Sequence, residues 1–180
     1  TNGQFLGQIL FQGSDGTDYE DAARIFATVD GSPAGDATDM PGALNFATTV
    51  DGSDSMTTRM VIKNDGTIGI GTSSPSDYDA GGNNLVIYEN GNSGITIASA
   101  TTGIGAIHFA DGTTDAEAYQ GIVRYSHSEH NLQFGVAGTN YRFKLDNNSR
   151  ISLSNNDSGT SNTIFGKSAG ANLDAGSNYN

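Results

Sequence analysis

Three histidines, two knots of carboxylates and one glycine-rich run are the residues of this 180-residue chain whose types could do chemistry. His127-Ser128-Glu129-His130 sets two imidazoles three positions apart beside a carboxylate, donors that suit a divalent metal. On a strand, side chains three apart point to opposite faces, so the pair converges only within a turn. One histidine per chain around a threefold axis would also build a three-imidazole site. The spacing is loose, however, and polar loop residues beside a strand are the preferred reading, with His108 standing apart. Carboxylates gather at Asp15, Asp18, Glu20 and Asp21, and again at Asp111, Asp115 and Glu117. Paired acids can hydrolyse glycosides, with their separation setting the mechanism. Neither knot has the Asp-x-Asp-x-Asp-Gly order of a calcium loop, and both fall where turns place ordinary surface acids. Gly69-Ile70-Gly71-Thr72 lacks the lysine and helix of a phosphate loop and reads as the glycine-rich end of a strand. Tyr88, Tyr119, Tyr125 and Tyr141 offer stacking faces to sugars. Asn147-Asn148-Ser149 and Asn156-Asp157-Ser158 fit the glycosylation sequon, which matters only in a eukaryotic secreted protein. No residue is assigned as catalytic, cofactor-binding or metal-ligating, and no cofactor is expected.

The elements that must position these residues are written twice. Residues 59–70 align without a gap on residues 142–153, Gly7-Gln8-Ile9-Leu10-Phe11 on Gly105-Ala106-Ile107-His108-Phe109, and Leu44-Asn45-Phe46 on Leu132-Gln133-Phe134. The matched positions are apolar residues two apart, separated by Gly, Asn and Asp. Duplicated strands and turns, with no duplicated nucleophile or base, point to a scaffold rather than a pocket.

Composition agrees. There are 25 glycines, the apolar fraction is 35%, and Asn, Asp, Ser and Thr, which favour turns over helix, fill much of the remainder. A charged fraction of only 16%, with seven Tyr and eight Phe, sets the chain apart from disordered sequences. Repeats of this size bury their apolar faces against neighbours or other subunits, so oligomer formation is expected. The net charge of −12 disfavours nucleic acid and anionic membrane surfaces as partners. It also discourages sideways association of β structure. Cysteine is absent, so disulfides and thiolate metal sites are excluded. No apolar run is long enough to span a bilayer, and the first residues have no signal-peptide character. The missing initiator Met and a final stretch that opens a new repeat read as a fragment of something longer.

The expected organisation is a first β module at 1–75, a linker at 76–83, a second β module at 84–153, a linker at 154–161, and a truncated further repeat at 162–180. Strands are expected near residues 7–12, 23–30, 43–49, 58–63 and 67–70. In the second module they are expected near 84–89 and 95–99, and then through 105–153. Asp15-Gly16, Asp30-Gly31, Asp51-Gly52 and Asp65-Gly66 mark turns, because both residues tolerate positive φ. Residues 19–27 have some helical appeal, but their counterpart at 118–125 is strand-like, which tips the first copy toward strand. Phe11, Phe46, Phe109, Phe134 and Phe143 are assigned to a buried seam.

Several strings resemble bacteriophage tail fibres and tailspikes. They are Asp39-Met40-Pro41-Gly42-Ala43-Leu44-Asn45-Phe46-Ala47-Thr48-Thr49, then Arg59-Met60, then Asp65-Gly66-Thr67-Ile68-Gly69-Ile70-Gly71-Thr72-Ser73-Ser74-Pro75. Gly121-Ile122-Val123-Arg124-Tyr125-Ser126-His127 and Asn131-Leu132-Gln133-Phe134 look like a neighbouring element of the same proteins. Asn162-Thr163-Ile164-Phe165-Gly166-Lys167-Ser168-Ala169-Gly170 is similar to repeats of such fibres and of trimeric adhesin heads. The resemblance implies an all-β fold of short repeated β-meander modules in an elongated, intertwined homotrimeric fibre. It also implies a place in the virion tail, outside the cell. Partners would be other virion tail proteins and a host surface glycan or protein receptor, without membrane insertion. The self-cleaving Ser and Lys of the endosialidase-type chaperone are not visible here, so autoproteolysis is carried onto no residue. A trimeric bacterial adhesin head and a polysaccharide-cleaving tailspike segment are the alternatives.

Overall fold

In the computed structural model, which describes residues 1–35, 38–138, 140–147 and 151–153, the chain is all-β. It divides into two compact units, Thr1–Ile95 and Thr96–Asn180, with one sheet in each. Among the described residues no helix is long and apolar enough to cross a membrane.

The first sheet holds β1 (Phe5–Ser14), β2 (Tyr19–Val29), β3 (Gly42–Thr49), β4 (Met56–Ile62), β5 (Ile68–Ile70) and β6 (Leu85–Ile87), paired in chain order. The first five strands form an antiparallel meander, and β6 lies parallel to β5. Local chemistry sets the turns. The Asp15 carboxylate accepts the amides of Thr17 (2.7 Å) and Asp18 (2.8 Å), closing the β1–β2 turn. The Asp65 carboxylate accepts the Thr67 hydroxyl (2.7 Å) and amide (2.9 Å), while Gly66 takes φ +84. Such side-chain bonds let Asp-Gly reverse the chain without help from elsewhere. Parallel pairing instead needs a crossover, supplied by residues 71–84 with a 3-10 turn at Pro75–Asp77.

The second sheet holds β7 (Ile104–Phe109), β8 (Gly121–Ser126), β9 (Asn131–Val136), β10 (Asn140–Asp146) and β11 (Ile151–Leu153), again an antiparallel meander. Its register repeats the first position for position. In the first sheet Ile9, Ile25, Phe46, Met60 and Ile70 are successive cross-strand partners. In the second the succession is Ile107, Val123, Phe134, Phe143 and Leu153. The aligned arginines, Arg59 and Arg142, both fall at the extra residue of a bulge, where pairing steps from Phe46/Met60 to Ala47/Thr58 and from Phe134/Phe143 to Gly135/Tyr141.

The structure departs from the sequence expectations in three places. Residues 85–87, expected to open the second module, hydrogen-bond to β5 in the first sheet. Residues 95–99, expected as a strand, lie in no sheet. Residues 118–120 lie outside β8; a 3-10 turn at Asp115–Tyr119 precedes that strand, with the amides of Asp111 and Gly112 bonded to the Glu117 carbonyl. The phenylalanines assigned to a seam are not buried by one chain alone: Phe11, Phe109 and Phe134 are exposed within it, and Phe46 and Phe143 are half-buried. The truncated repeat at 162–180 and the linker at 154–161 lie outside the described residues.

Candidate functional site

Direct cross-strand partners share a face of a sheet. One face of the first sheet carries Phe26, Ala43, Asn45, Ala47, Val61 and Val86, all buried. The crossover lies over it: Thr72 Cγ2 would sit 3.2 Å from a Cβ at Gly69, beside Val61, and Pro75 is fully buried. Gly71 completes the entry to this lid with φ +75, and a side chain there would collide with the Tyr88 carbonyl oxygen. The glycines of 69–72 thus answer to packing, not phosphate.

The corresponding face of the second sheet carries a polar network beside the buried Ile122. Arg124 Nε donates to Gln133 Oε1 (2.6 Å), and Gln133 Nε2 donates to Asn131 Oδ1 (2.6 Å). Glu129 Oε2 accepts from Asn131 (3.0 Å), Gln133 (3.3 Å) and Lys144 (3.1 Å). The Arg124 guanidinium stacks 3.7 Å above the Tyr141 ring. Gln133 and Asn131 are only 3% and 2% exposed, yet each is hydrogen-bonded, which is what makes burying an amide tolerable. The Asn131 amide, then the Lys144 ammonium, hold the Glu129 carboxyl below its ordinary value.

A second ionic knot ties the first unit together. Asp30, 8% exposed, accepts from the Lys63 ammonium and from the Asn64 amide (2.9 Å), and its carbonyl accepts the Asn64 side chain. Gly31, next along, donates to the Asn2 side chain (3.0 Å). Burial pushes the Asp30 carboxyl up, but the Lys63 and Asn64 hydrogen bonds outweigh it and leave the value lowered.

The opposite face of each sheet is apolar and bare. In the first it carries Ile9, Phe11, Leu44 and Ile70, with Ile9 60% and Phe11 52% exposed. In the second it carries Ile107, Phe109, Phe134, Val136 and Leu145, with Phe109 59% and Val136 53% exposed. Contiguous apolar surface of this kind marks an interaction site in a soluble protein.

The sequence candidates fall elsewhere. His127 and His130 share the β8–β9 turn; the His127 ring meets Tyr125 edge-on at 5.0 Å, and His130 takes φ +49. His108 meets Tyr119 at 6.3 Å. Among the described residues no three His, Cys, Asp or Glu side chains come together in a way that could hold a metal. Asp15, Glu20 and Asp21 line an open basin of about 540 Å³ with Asp51 and Asp54. Within it the Asp18 and Thr17 amides lower the Asp15 carboxyl, whereas a general acid needs its value raised. Asp21 accepts from Gln12 (2.8 Å), and Glu117 accepts the Thr114 hydroxyl (2.7 Å). Tyr88 and Tyr125 remain exposed; Tyr119 and Tyr141 are engaged as described. Sequence reasoning did not find the polar network around Gln133. The alternation of Arg124, Gln133 and Lys144 opposite Val123, Phe134 and Phe143 was the available signal.

No family model matches this chain, and no curated protein does either. Among solved structures it is similar to the carboxy-terminal domain of the bacteriophage T5 L-shaped tail fibre, at 13% identity and a TM-score of 0.47, covering 92% of this chain and 84% of that one. It is also similar to the same domain with its intramolecular chaperone domain, at 13% identity and a TM-score of 0.48. That match covers 99% of this chain but 61% of the longer one.

Proposed function

We propose that this chain is a structural and adhesive segment of a phage tail fibre, a homotrimeric β shaft that carries host-receptor-binding regions and performs no catalysis. The observation that carries the reading is the bare apolar face, present in both sheets on the same register positions. A single chain leaves Ile9, Phe11, Phe109 and Val136 more than half exposed, and exposed rings and branched chains gain roughly 1.5–3 kcal/mol each on burial. Copies of the same chain are natural partners because the surplus face recurs in each. The resemblance of residues 39–49 and 65–75 to tail-fibre strings supplies the biological setting. The tight engagement of Asp15 and Asp21 in their own turn and strand favours a mechanical role over polysaccharide cleavage.

The test is the mass in solution. Light scattering at micromolar concentration is expected to give three chains. Phe46→Asp and Phe134→Asp, each placing a charge on the bare face, are expected to yield monomer with strand content retained. A wild-type monomer would overturn the reading.

A further inference from the structure

The run between the two sheets has the build of a β-strand and no sheet to join. Residues 92–100 run without a turn or bend, and each is exposed, Ile95 at 69%. Ile95, Thr96 and Ile97 are β-branched, which favours extended backbone. Among the described residues, no backbone N–H or C=O of residues 94–99 has a hydrogen-bond partner. Up to the turn that the Gly103 amide closes on the Ala100 carbonyl, the chain neither bends nor pairs, and it is apolar at the alternate positions Ile95 and Ile97. An unpaired edge is a template for another strand.

Charge says which strand. Residues 90–110 contain no Asp, Glu, Lys or Arg, the longest such stretch in a chain of net charge −12. Most other segments of this chain would bring like charges together if paired with themselves. This one can lie beside its own copy without repulsion, setting Ile95 on Ile95 and Ile97 on Ile97. It also leads into the bare face of the second sheet: Ile97 Cγ2 sits 3.4 Å from where a Cβ at Gly105 would lie, and Ile107 and Phe109 follow.

Resting on the trimeric reading above, we infer that residues 94–99 are an intermolecular strand, pairing in parallel and in register with the same segment of the neighbouring copies. Rotational symmetry about an axis along the strands makes parallel pairing the required direction. Ile95 and Ile97 then point inward, and the backbone groups left open in one chain are satisfied by the next.

Because the chain has no cysteine, Ile97→Cys gives a single thiol. Mild oxidation of the full chain is expected to link up to two of every three chains as dimer on a denaturing gel, while Thr17→Cys, in the exposed β1–β2 turn, stays monomeric on the gel. In parallel, hydrogen exchange on the unmodified protein is expected to slow the amides of 95–98 at least about tenfold relative to those of 16–18. A trimer by light scattering with no dimer band and fast exchange at 95–98 would overturn this pairing and leave the assembly standing. A monomer would overturn both.

Discussion

Two sheets with one register solve the same problem with different chemistry. On the bare side the residue types match: Ile9, Ile25, Phe46 and Met60 in one, Ile107, Val123, Phe134 and Phe143 in the other. On the covered side they diverge, with Phe26, Asn45 and Val61 opposed to Arg124, Gln133 and Lys144 at the same positions. The first sheet has the 71–84 crossover to lie against, so its covered face profits from apolar side chains. Among the described residues, the second carries on that face side chains that satisfy one another. The apolar face packs under its crossover, whereas the polar face carries its own hydrogen bonds; the bare face answers to a demand common to both units.

The largest effect is expected from Phe26→Ala, which removes a buried ring stacked on Phe5 and lying under the Arg24 guanidinium and should remove about 3–5 kcal/mol from urea unfolding of the first unit. The equivalent change in the second sheet, Arg124→Ala, deletes a stack and a hydrogen bond and leaves Gln133 Oε1 unpaired; about 1–3 kcal/mol is expected. Equal losses at the two positions would break the comparison. Next comes the ionic knot. Asp30→Asn leaves the Lys63 charge without its partner in a half-buried place and is expected to cost up to about 3 kcal/mol at neutral pH. Because the folded Asp30 carboxyl is lowered from its ordinary 3.8, its contribution is complete above that value and is lost as pH falls through the lower one. Wild type and Asp30→Asn should therefore differ by a constant amount at and above about pH 5 and converge below 3.8 when unfolding is followed across pH. A gap that widens in acid would reverse the assigned sign.

Two glycines of like backbone make a finer test. Gly66 and Gly71 both have positive φ, but a Cβ at Gly66 meets open space, whereas at Gly71 it strikes the Tyr88 carbonyl. Gly66→Ala is expected to cost about 1 kcal/mol from strain alone, and Gly71→Ala clearly more, as melting temperatures would report. The smallest effect is expected at the exposed end of the polar network. Lys144→Ala should shift the melting temperature slightly at low salt and not at all at high salt, as for other exposed ion pairs.

The sequence made the fold class and most strands legible because Asp-Gly turns carry their own hydrogen bonds. Residues 19–27 became a strand despite their helical appeal, as the second copy indicated. The β1–β2 and β7–β8 connections span the same eleven positions between Phe11 and Ala23 and between Phe109 and Gly121. They differ in where the turn sits. Asp15-Gly16 lies near the middle, so the hairpin zips to its tip; Asp111-Gly112 comes at once, and Asp115-Ala116-Glu117-Ala118-Tyr119 coils instead. The β5–β6 pairing was not legible, because a parallel partner is chosen by tertiary packing over a long crossover, with no local signal. Nor could exposure of Phe11 and Phe109 be read from residue type, since an apolar alternation says that a face will be covered but not by whose atoms.

Parity gives the meanders a further property. An antiparallel succession of five strands delivers the backbone to the end opposite the one where it began, and the direction-preserving step from β5 to β6 keeps that outcome for a sixth. Within each such sheet the backbone therefore makes a net advance of one strand length, on the order of 3.3 Å per residue of a single strand. Losing one antiparallel strand would send the backbone back toward its origin.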